Sequence, residues 1–148
     1  MQDPTMEKPV INILLVEDDA VDVMNVQRAF RKNHIANPLY IAQNGVEALA
    51  MLRGKDGQPP AVPNDRRLIL LDLNMPRMGG IEFLRELRSD PDLQSTPVVV
   101  LTTSNQDQDR VEAYHLNVAG YLLKPVTFQN FAEVMATLNK YWALCEMI

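Results

Sequence analysis

Leu68-Ile-Leu-Leu-Asp72-Leu-Asn-Met-Pro76 is the stretch whose reading decides the fold. Apolar residues run into one carboxylate, and Pro76 and the pair Gly79-Gly80 follow closely. A short apolar run bounded by turn signals reads as a buried strand. Asp72 then stands at the carboxyl end of that strand, the edge where open α/β sheets bind ligands. A carboxylate there is expected to be solvated, to face a crevice, and to act as ligand or nucleophile.

Upstream, residues 10–16 form a first apolar strand that stops at Glu17-Asp18-Asp19. A helix N-cap needs one such acid. Three in succession repel one another, and the surplus points to a cation site. A helix over about 20–32 follows, with Val23, Val26 and Phe30 as its inner stripe. Residues 38–42 make a short second strand, and Asn44-Gly45 turns into a helix over about 46–53. Residues 54–67 carry Pro59, Pro60, Pro63 and several charges, and read as a long surface loop.

Downstream, a helix over about 81–88 buries Ile81, Leu84 and Leu87, and Asp90-Pro91 ends it. A strand over 98–101 closes on Thr102-Thr103-Ser104. A polar helix over about 106–116 has Val111 and Tyr114 as apolar anchors. A fifth strand, 118–123, ends at Lys124-Pro125. The last helix starts near Thr127, carries Phe128, Phe131, Val134, Met135, Leu138, Tyr141, Trp142 and Cys145 at helical spacing, and outruns the sheet it covers. Strands alternating with helices imply a three-layer, doubly wound α/β sandwich on a five-stranded parallel sheet, with 2-1-3-4-5 one of the two common strand orders.

Residues 1–9 read as a flexible tail and 10–148 as one domain with an extended C-terminal helix, without an output domain. The net charge of −5 argues against a nucleic-acid partner, which demands a basic face. No apolar run is long enough to span a membrane, and no signal peptide opens the chain. The single cysteine excludes an internal disulfide and fits a reducing, cytoplasmic setting.

In the 2-1-3-4-5 order, Glu17, Asp18 and Asp19 after strand one, Asp72 after strand three, Thr102 after strand four and Lys124 after strand five converge on one edge. Three carboxylates cannot share a small site uncompensated. A hard divalent cation offsets them, and oxygen ligands suit Mg2+. Lys124 offers a point charge to a phosphoryl oxygen, and Thr102 a hydroxyl donor. These are the parts for receiving a phosphoryl group, with Asp72 as nucleophile.

The segments Val-Glu17-Asp18-Asp, Leu-Asp72-Leu-Asn-Met-Pro, Leu-Thr102-Thr and Lys124-Pro resemble the receiver domain of two-component response regulators, with its CheY-like, flavodoxin-like (βα)5 fold. The resemblance covers about residues 10 to 145, in order and spacing. It implies that Glu17 and Asp18 are the acidic pair, Asp72 the phospho-acceptor, and Thr102 and Lys124 phosphate contacts. It further implies that Asn74 gives a backbone carbonyl to Mg2+, that Tyr121 is the aromatic switch, and that Pro125 follows a cis bond. Glu17 stands where the family often has Asp, and Thr103 where a smaller Ala is frequent. Within the family, the 54–67 loop, the acidic triplet with Asp22 and the long last helix are most like the stand-alone receivers paired with cyanobacterial phytochromes. The implied partners are a phytochrome-like histidine kinase and a downstream protein, and the implied chemistry is self-phosphorylation and autodephosphorylation rather than enzymatic turnover.

Each residue also has a plainer reading. Lys124 alone is a solvated strand end, Thr102 alone a turn residue, and Tyr121 a half-buried strand aromatic. His34 and His115 read as surface residues. The apolar end of the last helix is either a folded-back tail or an interface, and we expect a homodimer through Phe131, Tyr141, Trp142 and Cys145 with help from strand five. Two rival functions remain: an Mg2+-dependent phosphatase with an aspartyl intermediate, which expects its nucleophile on the first strand, and a non-phosphorylated scaffold.

Overall fold

The computed structural model describes residues 10–73, 75, 77–102, 108, 110–112, 115–124, 127, 129–133 and 136. Five strands, β1 (Asn12–Val16), β2 (Leu39–Ala42), β3 (Arg67–Asp72), β4 (Val98–Thr102) and β5 (Gly120–Leu123), form one parallel sheet in the order β2-β1-β3-β4-β5. Helices α1 (Ala20–Lys32), α2 (Gly45–Arg53) and α3 (Gly80–Ser89) connect them, with further helical residues at 108, 110–112, 129–133 and 136. The order and the parallel sense are those expected from the sequence.

Strand alternation builds the three layers. Ile13 and Leu15 of β1, Leu68 and Leu70 of β3, and Val99 and Leu101 of β4 face Val26 and Phe30 of α1 and Phe131. Leu14 and Val16, Ile69 and Leu71, and Val98 and Val100 face the other way, onto Ala48, Leu49 and Leu52 of α2, Phe83, Leu84 and Leu87 of α3, and Val111. Both faces of β1 and β3 are therefore covered, which explains apolar runs instead of alternating polarity.

Several expectations are corrected. The 54–67 stretch is the surface loop expected, exposed over most of its length, but it is anchored to the core and ends one residue earlier. Val62 is fully buried, its amide donates to Met51 O at 3.1 Å, and Arg67 belongs to β3. The buried Arg67 guanidinium donates to Pro63 O (3.0 Å), Leu52 O (3.0 Å) and Val62 O (2.7 Å), which ties the loop to the end of α2. The polar helix ends before Leu116, because His115 and Asn117 adopt φ of 51° and 30°. β1 and β5 each start two residues later than the apolar pattern implies: Asn12 is the first β1 residue paired with β3, and Gly120 the first β5 residue paired with β4.

Phe131 is also corrected. It is buried within the chain, its ring 4.8 Å from that of Phe30. Its side chain fills the α1 layer of the core and is not available to a second copy. Tyr141, Trp142 and Cys145, named with it, lie outside the described residues.

Candidate phosphoryl-acceptor site

The site lies at the carboxyl edge where the strand order reverses between β1 and β3, the crevice such sheets reserve for ligands. Register places its residues. Val16 pairs with Leu71, so Glu17 emerges beside Asp72. Asp72 pairs with Leu101, and Thr102 with Leu123, so Lys124 comes next on the adjoining strand.

The acidic run divides its work. Asp19 is the N-cap of α1, and its Oδ1 accepts from the Val21 amide at 2.8 Å and the Asp22 amide at 3.2 Å. Glu17 and Asp18 turn instead toward Asp72, and oxygens from the three carboxylates lie within 4.8 Å of one another. Asp18 is exposed, whereas Glu17 and Asp72 are only 1% and 5% exposed. This corrects the expectation of a solvated Asp72: Glu17 directly follows the buried strand β1 and Asp72 ends the buried strand β3, and of the three acids only Asp18 is exposed.

Lys124 reaches into this cluster. Its Nζ lies 3.0 Å from Asp22 Oδ2, 3.1 Å from Glu17 Oε2 and 3.4 Å from Asp72 Oδ1. Burial by itself lowers the lysine's pKa, but hydrogen bonding and charge from Asp22, Glu17 and Asp72 outweigh that and raise it, so the ammonium stays charged. For Glu17 the balance runs the other way. Burial, aided by the charge of Asp72, outweighs the nearby ammonium and pushes its carboxyl up to about 7. Its Oε2 is buried without a well-formed hydrogen bond among the described residues.

That oxygen and the three-carboxylate geometry fit a divalent cation. A cation would compensate Glu17 where one ammonium is shared among several acids, and the exposed Asp18 side leaves room for the waters that Mg2+ retains. Glu17, Asp18 and Asp72 are the residues that would hold it.

The loop after Asp72 is pinned. The Gly80 amide donates to Leu73 O at 3.0 Å, and a Cβ on Gly80 would lie 2.5 Å from Leu73 Cα and 2.9 Å from Asp72 O. Glycine is required here by close backbone approach. Tyr121 is half-buried on β5 and packs against the core face that α2 and α3 cover. Asn74, Pro125 and the side chain of Thr102 lie outside the described residues, as do Thr103 and Ser104. Sequence reading did not assign Asp22 to the site. Its place in the first turn of α1, where an acid is already favoured by the helix dipole, conceals the second role.

Comparison with known proteins agrees with this geometry. The family model of the response regulator receiver domain matches residues 13–136. The chain belongs to the response regulator receiver domain family. Response regulator Rcp1 of Synechocystis sp. is 38% identical over 130 residues, 88% of this chain and 87% of its own length. The probable methanogenesis regulatory protein FilR2 of Methanothrix harundinacea is 37% identical over 136 residues, 92% of this chain and 85% of its own. Among solved structures, the bacteriophytochrome response regulator RtBRR superposes with a TM-score of 0.72 at 36% identity, covering 88% of this chain and 78% of that one. A Mn(2+)-bound form of Rcp1 superposes with a TM-score of 0.65 at 37% identity, covering 90% and 94%.

Proposed function

We propose that this receiver accepts a phosphoryl group on Asp72 from a phospho-histidine donor, with Mg2+ held by Glu17, Asp18, Asp72 and the backbone carbonyl of Asn74. One observation carries the reading: the Asp72 carboxylate is packed at the sheet edge between a three-acid cluster and the Lys124 ammonium, 3.4 Å away. An Asp72 oxygen attacks phosphorus, the phosphorus–nitrogen bond breaks, and its electron pair returns to the imidazole. Bound Mg2+ supplies charge neutralisation for the phosphoryl oxygens. Lys124 and Thr102 hold those oxygens in place.

The aspartyl phosphate then biases a two-state equilibrium in which Thr102 and Tyr121 move together, and output passes by protein contact. The chain is in this reading the kinase's substrate, not an enzyme for free phosphomonoesters, and it acts in the cytoplasm. The likeness to Rcp1 and to a bacteriophytochrome response regulator favours a phytochrome-type kinase as donor. A relative named as a probable methanogenesis regulatory protein is almost as identical, so the donor has to be identified by phosphotransfer and not by likeness. A homodimer through Tyr141, Trp142 and Cys145 belongs to the same reading, now without Phe131.

The test is labelling by acetyl phosphate with Mg2+, followed by transfer from a panel of phosphorylated histidine kinases. Wild-type protein should label and Asp72→Asn should not; label that persists in Asp72→Asn removes the assignment. Fastest transfer from a kinase other than a phytochrome removes the light-sensor partner alone.

A further inference from the structure

We propose that Asp22 is a positioning residue for Lys124: its carboxylate holds the ammonium on the α1 side of the site, and an incoming phosphoryl group must draw the lysine away from it. The inference rests on the reading of Asp72 as phospho-acceptor.

An ammonium has three N–H donors. All three have a carboxylate oxygen at 3.0 to 3.4 Å, from Asp22, Glu17 and Asp72. These partners are not equivalent. Glu17 and Asp72 also belong to the cluster that would share a cation, and Asp22 does not. Once a divalent ion takes up the charge of Glu17 and Asp72, Asp22 is the acceptor left for Lys124. Its contact with Nζ, at 3.0 Å, has full hydrogen-bond geometry.

Asp22 is carried by the first turn of α1, whose N-terminus is fixed by the Asp19 cap, so its carboxylate stays in place when the cluster is loaded. A phosphoryl oxygen on Asp72 therefore competes with Asp22 for the same ammonium. Resting and phosphorylated states differ by which anion Lys124 serves, and Asp22 sets the balance between them. Its side chain is 30% exposed, which keeps the pair within the range of partly solvated ion pairs and makes the exchange reversible.

The experiment is titration with beryllium fluoride, a phosphoryl mimic, at saturating Mg2+, read by 19F NMR of the bound fluoride. Asp22→Asn should tighten binding about fivefold, the upper end for a partly exposed ion pair. Asp22→Glu, which restores the charge, should return affinity most of the way to wild type. In a Lys124→Gln background, Asp22→Asn should change affinity less than twofold. Unchanged or weakened binding by Asp22→Asn overturns the proposal. So does an Asp22→Glu protein that behaves like Asp22→Asn, or an equal Asp22→Asn effect without the lysine. If Lys124→Gln binds no mimic, the Asp22→Asn and Asp22→Glu pair decides. Wild-type protein that binds no mimic, or Asp72→Asn protein that binds it equally well, instead removes the phospho-acceptor reading.

Discussion

Glu17 shows how a single residue can store part of a site's energetics. Its carboxyl is raised from 4.5 to about 7 in the metal-free protein, chiefly by burial. Between those values the folded chain holds more protons than the unfolded one, so stability falls as pH rises through the window. Metal-free protein should therefore lose about 1–3 kcal/mol of stability from pH 4.5 to 7 through this group, and Glu17→Gln should flatten that slope. Urea unfolding in EDTA at several pH values measures both. Gly80 is a second residue-scale constraint. Gly80→Ala forces a Cβ against Leu73 Cα and Asp72 O. It should cost about 1–3 kcal/mol and slow acetyl phosphate labelling, because the backbone that must shift is that of Asp72 itself. A stable Gly80→Ala protein with wild-type labelling would contradict the close packing.

Among elements, two arginines organise backbone that carries no site residue. Arg67 satisfies carbonyls of the 54–67 loop and the end of α2 from inside β3. Arg88 on α3 donates to Gln94 O, Thr96 O, Leu116 O and Asn117 O, which binds the approaches to β4 and β5 to one side chain. Burial lowers the pKa of both guanidinium groups, yet their carbonyl partners compensate the desolvation. Arg67→Ala should destabilise by about 3 kcal/mol, roughly 10 °C in Tm, and hydrogen exchange should speed at the Val62 amide. Mg2+ affinity should stay near wild type, because the arginine sits at the opposite end of β3 from Asp72. A large loss of Mg2+ affinity would show that the loop supports the site.

For the molecule as a whole, Phe131 joins the helical residues after β5 to α1 through Phe30, closing one face of the sheet. Phe131→Ala should cost about 3–5 kcal/mol by leaving a cavity, and it should act on unfolding midpoint, not on subunit association. Light scattering at micromolar concentration, with and without acetyl phosphate, tests the proposed dimer separately. A monomeric mass in both conditions rejects it. Trp142→Ala should weaken a dimer built on the last helix, read by the same light scattering.

Element order and identity were written in the sequence because they depend on local pattern. Apolar runs ending in Glu17, Asp72, Thr102 and Lys124 place four strand ends, and a parallel sheet brings such ends to one edge whatever the details of packing. The layer count and the parallel sheet were legible from that; the order 2-1-3-4-5 stayed one of two common solutions, and the family was legible from the motifs around those strand ends. Burial and pairing were not, since they depend on residues distant in the chain. Neighbours across the sheet desolvate Glu17 and Asp72, and that desolvation raises the Glu17 carboxyl and leaves its Oε2 for a cation. The turn of α1 against β5 selects Asp22, 102 residues away in sequence, as the partner of Lys124. A charged residue announces its charge in the sequence; which opposite charge it meets, and how much water remains between them, is set only when the chain has folded.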